Sequence, residues 1–166
     1  MKALKYTLFL SLAMVIACTK PPDYSDTPEI AFISFSNSTM TQGSQNEEFT
    51  ELTISFTDGD GDIGIDDLPT VFFKDLRDGT EIITAAATPI PEQGVGNGIS
   101  GEMYIRVNTT CCIHPDPLLA PDGCGAPFAL TGITKDTLVY EIYIKDRAGN
   151  KSNVIETGPL ILLCEN

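Results

Sequence analysis

Tryptophan is absent from the 166 residues, and histidine occurs once, as His114. Bases are scarce: ten lysines and arginines stand against 23 acids, for a formal charge of −13. That balance argues against a nucleic-acid surface, which needs clustered cations to displace the counterions of phosphate. It argues equally against a protein lying flat on anionic lipid, and leaves cations or cationic partners as the natural counterparts. With a single histidine the chain is poorly supplied for acid–base catalysis at neutral pH. No long apolar run follows the first 17 residues, so no later segment is long enough to span a bilayer as a helix. Sustained helical periodicity is missing as well; apolar residues alternate with polar ones instead.

Lys2 and Lys5 precede an apolar run from Tyr6 to Ile16. The run is too short for a spanning helix and fits the apolar region of a secretory signal. The next residues, Val15-Ile16-Ala17-Cys18, resemble a bacterial lipobox, departing from it in Val15 where leucine is commonest. The resemblance implies cleavage before Cys18 and acylation (palmitate or a similar chain) of its thiol and new amino group. Several acyl chains on one residue meet the requirement for stable membrane anchoring. An ordinary secretory signal with an incidental cysteine is the alternative. Residues 1–17 are therefore read as a lipoprotein signal peptide, 18–28 as a lipidated N-terminus and tether, and 29–166 as one domain. Loss of Lys2 and Lys5 without any acid takes the charge to about −15.

Cys111, Cys112, Cys124 and Cys164 remain in the mature chain. An even count in an exported protein reads as two disulfides. A bond between adjacent Cys111 and Cys112 is strained, which leaves two pairings open. Zinc, with His114 nearby, is the competing idea.

The cleanest strand signal is Phe49 to Thr57, with Leu52, Ile54 and Phe56 on one face and threonine and serine on the other. Glu29–Ser36, Thr70–Leu76, Glu81–Ala86, Ile99–Val107, Asp136–Lys145 and Asn153–Leu163 complete a set of seven expected strands. Asp78-Gly79 accepts positive φ and predicts a hairpin turn between the third and fourth. Pro159 suggests an edge or a bulge in the last. Thr109–Lys135, with three cysteines and four prolines, is a long insertion between strands five and six. The expected class is all-β, a single immunoglobulin-like, seven-stranded antiparallel β-sandwich. In that topology the loops after strands two and six meet the start of strand one, while Cys164 meets the cysteine-bearing insertion at the opposite end.

Phe56-Thr57-Asp58-Gly59-Asp60-Gly61-Asp62-Ile63-Gly64 and Lys145-Asp146-Arg147-Ala148-Gly149-Asn150-Lys151-Ser152-Asn153 resemble segments of uncharacterised lipoproteins of Bacteroidota, a likeness that covers most of the mature chain. It implies an immunoglobulin-like or cadherin-like fold and an outer-membrane location, and it carries no activity with it.

Three carboxylates at alternate positions, Asp58, Asp60 and Asp62, can turn several oxygens toward one centre. The metal reading is calcium, a hard cation that takes six to eight oxygens, with Asp146 or Asn150 closing the shell from the neighbouring loop. The run is not an EF-hand, since Ile63 stands where that loop needs glycine and Pro69 where it needs glutamate. Asp-Gly repeats also form solvated turns with no ion at all. Catalytic signatures are lacking. No Gly-x-Ser-x-Gly elbow occurs, His114 has no spare thiol beside it if the cysteines are oxidised, and Glu47, Glu48 and Glu51 read as a solvated strand edge. Asp136-Thr137-Leu138 resembles a short O-glycosylation acceptor of exported Bacteroidota proteins.

The expected function is a non-catalytic, lipid-anchored binding module of the cell envelope, periplasmic or surface-exposed, presenting loops to a protein or glycan and organised by calcium. A structural accessory subunit of an outer-membrane assembly is the alternative, and a small hydrolase using acidic residues a weaker one.

Overall fold

A computed structural model describes residues 23–44, 48–64, 70–83, 98–114, 116, 124 and 132–164. The signal segment and Cys18 lie outside these residues, as do Glu47 and most of the insertion.

Among the described residues there is no helix, and ten short strands make up the fold. They are β1 (Glu29–Phe35), β2 (Thr39–Thr41), β3 (Phe49–Asp58), β4 (Val71–Asp75) and β5 (Glu81–Ile83), followed by β6 (Ile99–Asn108), β7 (Lys135–Leu138), β8 (Tyr140–Ile144), β9 (Ile155–Glu156) and β10 (Leu160–Leu163). Three small sheets result, in the orders β1-β3-β6, β2-β10-β7 and β5-β4-β8-β9. Every pairing is antiparallel except β2 with β10.

Ten strands stand where alternation predicts seven, and each difference has a local cause. The stretch from Asp136 to Lys145 keeps one buried face through Leu138, Tyr140, Ile142 and Ile144. Its partner changes midway: β7 pairs with β10, whereas β8 pairs with β4 and β9. The last expected strand is divided in the same way by Thr157-Gly158-Pro159. Pro159 has no N–H for a ladder, and Thr157 turns inward so that its hydroxyl accepts the Tyr140 N–H at 3.0 Å. The third addition, β2, lies in a polar stretch where Met40 alone supplies a buried apolar side chain.

The faces that alternation marks as apolar share one core. Leu52, Ile54, Val71, Ile142, Ile144, Leu160 and Leu162 are completely buried within a single cluster. The Arg77–Thr80 turn closes the β4–β5 hairpin as expected, with Gly79 at φ 77° and its N–H donating to Asp75 O at 2.8 Å.

Two poles follow from the register of β3 against β6, where Phe49 faces Asn108 and Asp58 faces Ile99. The two ends are separated by about 30 Å of strand at the usual rise per residue. Asn108 leads to the cysteines at the Phe49 end. There Cys111 is bonded to Cys124 and Cys112 to Cys164. This resolves the two pairings left open by the sequence, and it leaves none of the four thiols for zinc. Two disulfides mark the protein as one of an oxidising, non-cytoplasmic compartment. Among the described residues no helix is long and apolar enough to cross a membrane.

Candidate metal centre

At the other pole β3 runs into the acidic loop, and β8 runs into the turn at Asp146–Asn150. An isolated bridge between Ile63 and Asp146 ties the two together. The start of β1 joins them through Asn153, whose Oδ1 accepts the Ile30 N–H at 2.8 Å while its Nδ2 donates to Ile30 O at 2.9 Å. The acidic loop, the turn after β8 and the beginning of β1 therefore converge.

Local chemistry explains the shape of each loop. Gly61 sits at φ 72°, in the left-handed region that favours glycine. The chain doubles back there, and the Asp62 N–H donates to Asp58 Oδ2 at 2.9 Å. In the second loop the Asp146 carboxylate closes the turn: its Oδ1 accepts the Asn150 N–H at 2.7 Å, and its Oδ2 accepts Asn150 Nδ2 at 2.8 Å. Across the gap, the Ala148 N–H donates to Asp62 Oδ2 at 3.0 Å.

The outcome is a group of four carboxylates, from Asp58, Asp60, Asp62 and Asp146, each placing one oxygen within 4.8 Å of the others. Oxygens bound to one calcium at about 2.4 Å stand at most about 4.8 Å apart, so this spacing is compatible with a shared ion. Asp58 and Asp146 are 0 % and 1 % exposed. The division of labour within the carboxylates is informative. Asp58 and Asp62 each commit Oδ2 to a backbone N–H. Their Oδ1 atoms, and that of Asp60, are buried with no hydrogen-bond partner. A buried carboxylate oxygen without a donor is costly, and the four carboxylates together could hold a metal ion.

The electrostatics carry the same message. Burial first, and then the charges of Asp60, Asp62 and Asp146, push the Asp58 carboxyl up to about 6 against the opposing bond from Asp62 N–H. Burial, followed by the charges of Asp146 and Asp60, also raises Asp62. An all-carboxylate oxygen set suits a hard ion. Zinc prefers nitrogen and sulfur, and magnesium retains much of its water and takes only one or two carboxylates.

Asn150 enters as the group that orients Asp146, through both its backbone and its side chain. That role was not visible in the sequence, where it stood as one more oxygen donor. The other residues singled out lie elsewhere. His114 is buried near the disulfides, its Nδ1 beside the Asp116 backbone. Glu48 Oε2 accepts the Thr41 N–H at 2.6 Å. Thr137 is exposed on β7, and the Asp136 beside it is bound to Arg77. Comparison with protein-family models, with curated proteins and with solved structures finds no match for this chain.

Proposed function

We propose that this protein is a non-catalytic, lipid-anchored binding module of the cell envelope, an immunoglobulin-like sandwich whose loop pole is organised by calcium and presented to a protein or glycan. The observation that carries the reading is the set of buried, unpartnered Oδ1 atoms of Asp58, Asp60 and Asp62 facing Asp146 across two loops. A cation there neutralises mutual repulsion and turns two flexible turns into one rigid surface. The sandwich reading is supported by the sheets β1-β3-β6 and β5-β4-β8-β9, which contribute to one apolar cluster. The lipid anchor rests on Val15–Cys18, and the envelope location on that anchor together with the disulfides.

Calorimetry with calcium chloride tests the metal. Binding in the roughly 10⁻⁴ to 10⁻³ M range of extracellular modules is expected, with a matching rise in melting temperature. A glycan array and an envelope pull-down, each repeated with Asp58, Asp60 and Asp62 changed to asparagine, test the loops as the binding surface. Retention of a ligand by that variant overturns the role given to the pole. The accessory-subunit reading draws on a different face. Ile33, Phe49 and Tyr104 are 45 %, 52 % and 61 % exposed on β1, β3 and β6. A stoichiometric membrane partner, lost on changing Tyr104 and Phe49 but kept in the aspartate variant, favours that alternative.

A further inference from the structure

The acidic loop does not stand alone. The backbone of residues 24–26, in the segment that leads back toward Cys18, lies directly on it. Gly59, between Asp58 and Asp60, donates its N–H to Ser25 O at 2.8 Å. A Cβ at Gly59 would stand 2.5 Å from Tyr24 O, 2.8 Å from Ser25 C and 2.9 Å from Asp26 N, closer than such atoms approach. The second loop grips the same segment. Asn150 Nδ2 reaches both Asp146 Oδ2, at 2.8 Å, and Asp26 O, at 3.3 Å. Each loop that supplies carboxylates to the cluster therefore also holds the segment, one through a glycine flanked by two of them, the other through the amide that orients the fourth.

Ser25, Asp26 and Thr27 are exposed. Their other hydrogen bond is internal to the segment, from Thr27 N–H to Ser25 Oγ at 3.1 Å. Among the described residues, the two grips from Gly59 and Asn150 are thus the polar contacts that seat residues 25–27 on the domain, and both address backbone carbonyls.

We propose that the aspartate cluster and residues 24–26 form one clasp, in which a bound cation fixes the anchoring segment against the domain and the seated segment in turn tightens the cation site. This inference rests on the calcium reading above and adds its consequence. Without a cation the four carboxylates repel, the loops at 58–64 and 146–150 separate, and the two grips no longer fall on neighbouring carbonyls. With a cation they are held at the spacing the segment needs. Coupling of this kind is reciprocal, so the factor by which the ion strengthens seating is the factor by which seating strengthens the ion. The domain then stands at a set angle on its tether when the cation is present and swings from Pro28 when it is removed.

The test uses the full chain in detergent, with calorimetry for calcium affinity and brief chymotrypsin digestion to report cleavage after Tyr24. Calcium is expected to slow that cleavage in the wild type. Gly59→Ala pushes the segment off from the domain side, and Ser25→Gly loosens it from its own side without touching the aspartates. Both variants are expected to lose the protection at Tyr24 and to bind calcium at least about five-fold more weakly, the lower end of ordinary coupling. Wild-type affinity in Ser25→Gly, or calcium binding with cleavage after Tyr24 unchanged, overturns the clasp while leaving the calcium reading intact. Absence of any binding heat in the wild type removes both. Should Gly59→Ala fail to fold, Ser25→Gly carries the test alone.

Discussion

Asn153 holds Ile30 by both backbone groups: the side-chain oxygen takes the Ile30 N–H and the side-chain nitrogen gives to the Ile30 carbonyl, at 2.8 and 2.9 Å. A primary amide thus stands in for the strand that β1 lacks on that edge, and Ile30 itself is only 5 % exposed. Asn153→Ala removes both part-buried bonds to the Ile30 backbone. The expected loss is about 2 kcal/mol in urea denaturation, two hydrogen bonds at ordinary net worth. Asn153→Asp faces one carboxylate oxygen toward the Ile30 carbonyl and is expected to cost more than alanine. Equal stability of wild type and Asn153→Ala would show that β1 is held by its pairing to β3 alone.

Arg77 performs the corresponding task at the disulfide pole. Its guanidinium meets Asp75 Oδ2 at 2.7 Å, Asp136 Oδ2 at 2.6 Å and the Cys111 carbonyl at 3.1 Å. The β4–β5 turn, β7 and the cysteine-bearing segment are fastened together through this one side chain. Arg77→Met strands two carboxylates in a poorly hydrated place and is expected to cost about 3–5 kcal/mol, the usual effect of breaking a buried pair from one side. Arg77→Met combined with Asp75→Asn and Asp136→Asn is expected to recover a substantial part of that loss. Chemical denaturation of the single and triple variants decides it: no recovery in the triple variant would assign the loss to packing of the arginine stem.

The disulfides differ in the loop they close. Cys112–Cys164 spans 52 residues and Cys111–Cys124 spans 13. In the chain-entropy account these closures are worth about 4 and about 3 kcal/mol. Cys112 and Cys164 also belong to the buried core, at 5 % and 4 % exposure. Removing the longer link as paired alanines is therefore expected to lower the melting temperature more than removing the shorter one. The reverse order would mean that the insertion is stabilised chiefly by its own small loop.

Much of this arrangement is legible in the sequence. Leu52, Ile54 and Phe56 announce β3 because that strand is central in its sheet and buries one face only, and Met103, Ile105 and Val107 do the same for β6. The partner switch between Leu138 and Tyr140 was not legible, since alternation records which face is buried and not which strand lies alongside. Thr39–Thr41 was missed because three residues with one buried apolar side chain leave no measurable period. At the site, Asp58, Asp60 and Asp62 declare themselves through spacing. The grip of Gly59 on Ser25 and of Asn150 on Asp26 does not, because backbone carbonyls leave no mark on the identity of the residue that carries them.

The raised Asp58 carboxyl gives the cluster a pH signature whose sign separates it from an ordinary paired aspartate. Its folded value, about 6, lies above the ordinary 3.8, so between these two values the folded chain binds more protons than the unfolded one. Stability contributed by this group is therefore fully present below the ordinary value and is lost as pH rises through about 6. Asp62 is displaced in the same direction. A cation reverses the balance by favouring the ionised form, so calcium should stabilise most above pH 7 and fade toward pH 5, where protons compete for the same oxygens. Other acids titrate in this window, and Asp78 is shifted the opposite way by the Thr80 N–H. The quantity to measure is accordingly the difference between wild type and Asp58→Asn, which keeps an oxygen for the Asp62 N–H but cannot ionise. In chelator, Asp58→Asn is expected to melt above the wild type at pH 7.5 and to converge with it near pH 4. In millimolar calcium the order at pH 7.5 is expected to invert. A wild type that outlasts Asp58→Asn in chelator at pH 7.5 would mean that the carboxylate is already compensated by the protein itself, and the case for a cation at this pole would fall with it.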